Sequence, residues 1–78
     1  PNPSSNQHTS LVIESSERGK FEILIINTLG EIVLMDNVIV NKDLTQYQFD
    51  NSKLSNGMYN VIIKSPSFQF SKKLQILR

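Results

Sequence analysis

Hydrolytic or acid–base chemistry needs a histidine, a thiol or an activated hydroxyl beside a carboxylate, and this chain carries few such groups. Its one histidine, His8, sits in a polar lead-in with no carboxylate near it in sequence, the setting of a solvated surface imidazole rather than of a general base. Ser15, Ser16, Ser52, Ser55, Ser65 and Ser67 fall in turn-forming runs, where hydroxyls satisfy local backbone groups. No Gly-x-Ser-x-Gly elbow and no glycine-rich phosphate loop occurs. Oxygen ligands for a cation stand at Asp36-Asn37, at Asn41 with Asp43, and at Asp50-Asn51. None has the spacing of a calcium loop, and such residues in turns bond their own backbone. Four of the six aromatics alternate inward with apolar neighbours, which leaves Phe68 and Tyr47 as candidates for an exposed, sugar-stacking face. The adjacent pair Lys72-Lys73 is the remaining feature: in a strand its two cations point to opposite faces. Charges there guard an edge strand against aggregation, or are read by a partner. From these residues we expect no catalysis, no cofactor and no metal.

The bulk numbers narrow the class. Seventy-eight residues make one domain with a thin core. The 38% hydrophobic residues are concentrated in short alternating runs, which favours folding over disorder. Eight Lys and Arg against seven Asp and Glu give a net charge of +1, so there is no electrostatic case for nucleic acid or an anionic membrane. The absence of cysteine rules out disulfides and thiolate metal sites and leaves the compartment open. No apolar run approaches the roughly 20 residues of a helical membrane span, so no direct membrane insertion is expected.

The elements that position these residues read as strand, turn, strand throughout. Pro1-Asn2-Pro3-Ser4-Ser5-Asn6 is an extended boundary, residues 1–6, ahead of a β-sandwich over 7–78. His8 to Glu14 alternates with Leu11 and Ile13 on one face, and Ser15 to Gly19 turns. Lys20 to Ile26 puts Phe21, Ile23 and Ile25 on one face and Leu24 and Ile26 partly on the other, as an internal strand does. Asn27-Thr28-Leu29-Gly30 is a hairpin turn with Gly30 at positive φ. Glu31 to Val40 fits either one bulged strand or two short ones. Asn41-Lys42-Asp43 turns again, and Thr45, Tyr47 and Phe49 form one face of a half-exposed strand. Leu54 plugs the end of the core, and Asn56-Gly57 reverses the chain into a central strand over 58–64, with Tyr59, Val61 and Ile63 facing inward. Ser65-Pro66-Ser67 breaks the chain before a last strand from Phe68 to Leu77. No segment has helical periodicity. Six or seven antiparallel strands at near-regular spacing predict an all-β fold, a small two-sheet sandwich, with a small barrel as the alternative.

The markers also come in a telling order: the Pro-Asn-Pro start, Leu11-Val12-Ile13, Gly19 with Phe21 to Val33, Leu54-Ser55-Asn56-Gly57-Met58-Tyr59, and the closing Phe70 to Arg78 with Lys72-Lys73-Leu74. Over essentially its whole length the chain resembles the type A C-terminal sorting domain of the bacterial type IX secretion system. The resemblance implies an immunoglobulin-like sandwich at the extreme C-terminus of a larger secreted protein. It implies recognition at the periplasmic side of the outer-membrane translocon, passage of the upstream cargo domain to the cell surface or the medium, and removal by a sortase-like peptidase. The cleavage site would lie at or before the domain start, upstream of Pro1. The family's functional positions fall on Gly57 and Tyr59 of a Gly-x-Tyr motif and on Lys72, Lys73 and Leu74, with the Asn27 to Gly30 turn mainly in a folding role. A passive adhesion, carbohydrate-binding or spacer module is the alternative.

Overall fold

The computed structural model describes residues 8–77, so the expected lead-in at 1–6 lies outside the described residues. Among the described residues six strands follow one another without a helix: β1 (His8–Glu14), β2 (Gly19–Ile26), β3 (Ile32–Val40), β4 (Leu44–Asp50), β5 (Gly57–Lys64) and β6 (Gln69–Ile76). They form two antiparallel sheets, one in the order β3-β2-β5-β6 and one of β1 with β4, in keeping with a small immunoglobulin-like sandwich.

The core follows from the period-2 pattern. Phe21, Ile23 and Ile25 of β2 are wholly buried, and Tyr59, Val61 and Ile63 of β5 lie among them with Leu11, Ile13, Tyr47 and Phe49 from the facing sheet. Leu24 is also buried although it points to the outward face, because Met35 and Ile62 stand directly opposite it on the two neighbouring strands. This is the two-sided burial expected of an internal strand. The run Ile32-Val33-Leu34-Met35 resolves as one bulged strand. Ile25 stands opposite Leu34 while Ile26 stands opposite Ile32, so Val33 is the inserted residue and Leu34 regains the core face.

Two turns set the ends of this sheet. The Asn27 side chain organises the β2–β3 hairpin: its Oδ1 accepts the N–H groups of Leu29 and Glu31, and its Nδ2 donates to Glu31 Oε1. Gly30, at φ +87°, takes the left-handed position. The crossover from β4 to β5 differs in detail from the sequence reading. Its tight turn spans Asn51 to Leu54, where Leu54 N–H donates to the Asn51 carbonyl at 2.9 Å. Gly57 comes after it, at φ +151°, as the first residue of β5. The Asn-Gly pair thus launches the strand rather than closing the reversal.

Tyr47 is not available to a ligand. It is only 8% exposed, its ring stacks on Phe49 with centroids 5.9 Å apart, and its hydroxyl donates to Asp36 Oδ2 at 2.7 Å. A tyrosine in register with Thr45 and Phe49 faces inward however polar its tip, provided the tip finds a partner. Phe68, 49% exposed, stacks on Phe70.

Candidate functional site

Gly57, Tyr59, Lys72, Lys73 and Leu74 lie on one antiparallel pair, β5 with β6. In its register Gly57 stands opposite Ile76, Tyr59 opposite Leu74, Asn60 opposite Lys73 and Val61 opposite Lys72. Tyr59 and Leu74, fifteen positions apart in sequence, come into direct cross-strand contact because the Ser65–Phe68 turn folds the chain back on itself, with Ser65 N–H bonded to the Phe68 carbonyl at 2.8 Å.

Tyr59 is a core residue with a second task. Its ring is 7% exposed, and its hydroxyl donates to the Ser55 carbonyl at 2.6 Å. That bond ties the crossover loop to the strand it leads into, as the tyrosine corner of immunoglobulin-like sandwiches does. Gly57 lies between the two ends of the tie. A Cβ there would meet nothing within 4 Å, so the requirement for glycine is one of backbone conformation and not of space.

The two lysines part as their spacing requires. Lys72 is on the inward side of β6, flanked by half-buried Phe70 and Leu74, yet it is exposed because β6 is the outermost strand of its sheet. Lys73 is on the outward side. It shares a small hollow of about 40 Å³ with Asn27, Thr28, Met58, Tyr59 and Asn60, far below the size of a metabolite pocket. The hollow joins the Asn27 turn to the Gly-x-Tyr segment and the last strand, three stretches that sequence reasoning had treated apart. Among the described residues neither ammonium is paired with a carboxylate.

The candidate oxygen ligands are engaged locally. Asp36 accepts from Tyr47 and from Asn37 N–H, Asp43 pairs with Arg18 at 2.6 Å, and Asn51 donates to Thr9 Oγ1. Asp50 accepts from Ser52 N–H, the main cause of a carboxyl held below its usual range; the Ser52 side chain adds to it, and the charges of His8 and Lys53 add less. The carboxylate that His8 lacks in sequence is therefore Asp50, placed opposite it by the β1–β4 register on an exposed surface. Only strand pairing could have found it. Among the described residues no three histidine, cysteine or acidic side chains stand together as metal ligands.

The family model described as the secretion system C-terminal sorting domain matches residues 1–77. No curated protein and no solved structure is found to match. The matched span takes in both sheets and every residue of the β5–β6 pair. Membership implies an upstream cargo, interaction with type IX machinery, and export to the cell surface or beyond. The chain belongs to the C-terminal sorting domains, the signals that direct a larger protein through the outer membrane by type IX secretion.

Proposed function

We propose that the machinery reads this domain as a folded, non-catalytic signal through the β5–β6 pair, with Gly57 and Tyr59 acting as framework and Lys72, Lys73 and Leu74 as the surface that is met. The signal is recognised on the periplasmic side of the translocon. A sortase-like peptidase removes it once the cargo has crossed, and residues 1–78 act as one unit in this. What carries the proposal is the convergence of these five residues on two directly paired strands, with Tyr59 opposite Leu74 and Lys73 beside the Asn27 turn. A signal shared by unrelated cargoes must fold without them, and a self-contained sandwich core meets that need.

Charge removal tests it. Lys72→Gln with Lys73→Gln keeps most of the side-chain length, and exposed substitutions of this kind alter stability by less than about 0.5 kcal/mol. The double variant should melt as the parent does, and a reporter fused ahead of it should reach the surface of a type IX-competent host less efficiently. Normal export of the folded variant would leave the lysines as guards of an edge strand. The two single variants then separate the faces, since Lys72 is on the inward side of β6 and Lys73 on the outward side.

A further inference from the structure

The narrower sheet is two strands wide and lies over a sheet of four. Its β4 closes against β3 through the Tyr47–Asp36 bond. Its β1 therefore lies on the side toward β6, and the loop leaving β1 reaches the β5–β6 turn, where Ser67 Oγ donates to Glu17 Oε2 at 2.8 Å. Two strands leave most of β6 uncovered. On its inward face only Ile76, at the strand's end, is fully buried; Phe70 and Leu74 are half buried, Lys72 between them is exposed, and Phe68 extends the apolar row.

The facing edge of β1 is open as well. Ser15 N–H donates to the Asp43 carbonyl at 2.9 Å, just beyond the end of the β1–β4 ladder. Hydrogen-bonding direction alternates along a strand. The N–H and C=O groups of Ser10, Val12 and Glu14 thus point away from β4, toward an edge that pairs with no described strand.

We propose that this gap is the berth of one added β-strand donated by a protein of the secretion machinery. The incoming segment is extended, bonds its backbone to the open edge of β1, and carries apolar, acidic and apolar residues at i, i+2 and i+4 on the side facing β6. The outer two cover Phe70 and Leu74, and the carboxylate meets Lys72. Backbone pairing supplies affinity and the alternate side chains supply selectivity, as in other strand-addition complexes. This chain has two stretches with that pattern, Leu29, Glu31 and Val33 at the β2–β3 turn and Leu34, Asp36 and Val38 of β3. The first is folded into the turn by the Asn27 side chain bonded to Glu31, and the second is held in its own sheet with Asp36 bonded to Tyr47, so the donor is another protein. The inference rests on the sorting role proposed for Lys72 and Leu74 and assigns them a ligand.

The test uses the isotope-labelled 78-residue chain titrated with two synthetic peptides, Thr-Val-Thr-Glu-Thr-Val-Thr and its counterpart with lysine in place of glutamate. The glutamate peptide should shift the amides of Ser10, Val12 and Glu14 together with those of Phe70 to Leu74. It should bind about threefold or more tightly than the lysine peptide at low salt, the range of an exposed ion pair. In Lys72→Glu, checked for unchanged melting, the preference should invert. The proposal is overturned by an absence of saturable shifts, by equal binding of the two peptides, or by shifts confined to the outward face around Leu24 and Met35. Concentration-dependent shifts of the same amides without peptide would also overturn it, because they would put a second copy in the berth. Binding is read in isolation from export. Failure here alongside reduced export of the lysine double variant removes the added strand and leaves the sorting surface standing.

Discussion

Tyr59 joins the core to the crossover loop at a single residue. Its ring fills the core between Leu74 and the facing sheet, and its hydroxyl holds the crossover at Ser55. Tyr59→Phe removes only the hydrogen bond and should lower stability by about 1 kcal/mol, with the fold and export retained. Tyr59→Ala also empties the ring site, at about 3–5 kcal/mol. A domain of this size has only a few kcal/mol in hand. The alanine variant should therefore be largely unfolded, and export of a fused cargo should fail with it; chemical denaturation of the two variants side by side distinguishes the two contributions. Normal melting of Tyr59→Ala would mean that the ring is not core. Gly57→Ala asks a narrower question. With open space around the missing Cβ, its cost is that of placing an L-residue at φ +151°, about 1–3 kcal/mol, and it should appear in the melt without local repacking.

At the scale of elements, the sandwich closes on one side through β4 and β3. The Tyr47 phenol is held above its ordinary value of 10.0, chiefly by burial and further by the hydrogen bond to Asp36 and by that carboxylate's charge. A phenol with a raised pKa stays protonated in the fold at a pH where the unfolded chain has begun to ionise. Its contribution is therefore complete below pH 10 and is lost as the pH climbs above 10, at about 1.4 kcal/mol per pH unit. We expect the melting temperature to fall more steeply above pH 10 in the parent than in Tyr47→Phe, which lacks the titrating group. Parallel pH profiles would show that the β3–β4 closure does not depend on the phenol. On the opposite side the described tie runs between loops, Ser67 to Glu17, and no bond between β1 and β6 themselves is found among the described residues; it is this side that the proposed added strand would fill.

For the whole molecule, a core contributed by both sheets predicts that the isolated 78-mer gives a β-type circular dichroism spectrum and one cooperative melt; a helical or featureless spectrum would contradict the architecture. Much of this was legible in the sequence, because alternation reports which face of a strand is buried. Phe21, Ile23 and Ile25, then Tyr59, Val61 and Ile63, are inside for that reason, and Gly30 marks its own turn. The order of the Pro-Asn-Pro start, the Gly-x-Tyr segment and the Lys-Lys-Leu end pointed to the family that the match over residues 1–77 establishes. What alternation lacks is any record of which strand lies beside which. The bulge at Val33, the Asp50 carboxylate opposite His8, the Tyr47 hydroxyl spent on Asp36, and the meeting of Tyr59 with Leu74 all depend on pairings between residues distant in sequence. The exposure of Lys72 on an inward face depends on something further still: the facing sheet has two strands where this one has four, and sheet width is settled only when every strand has found its neighbour.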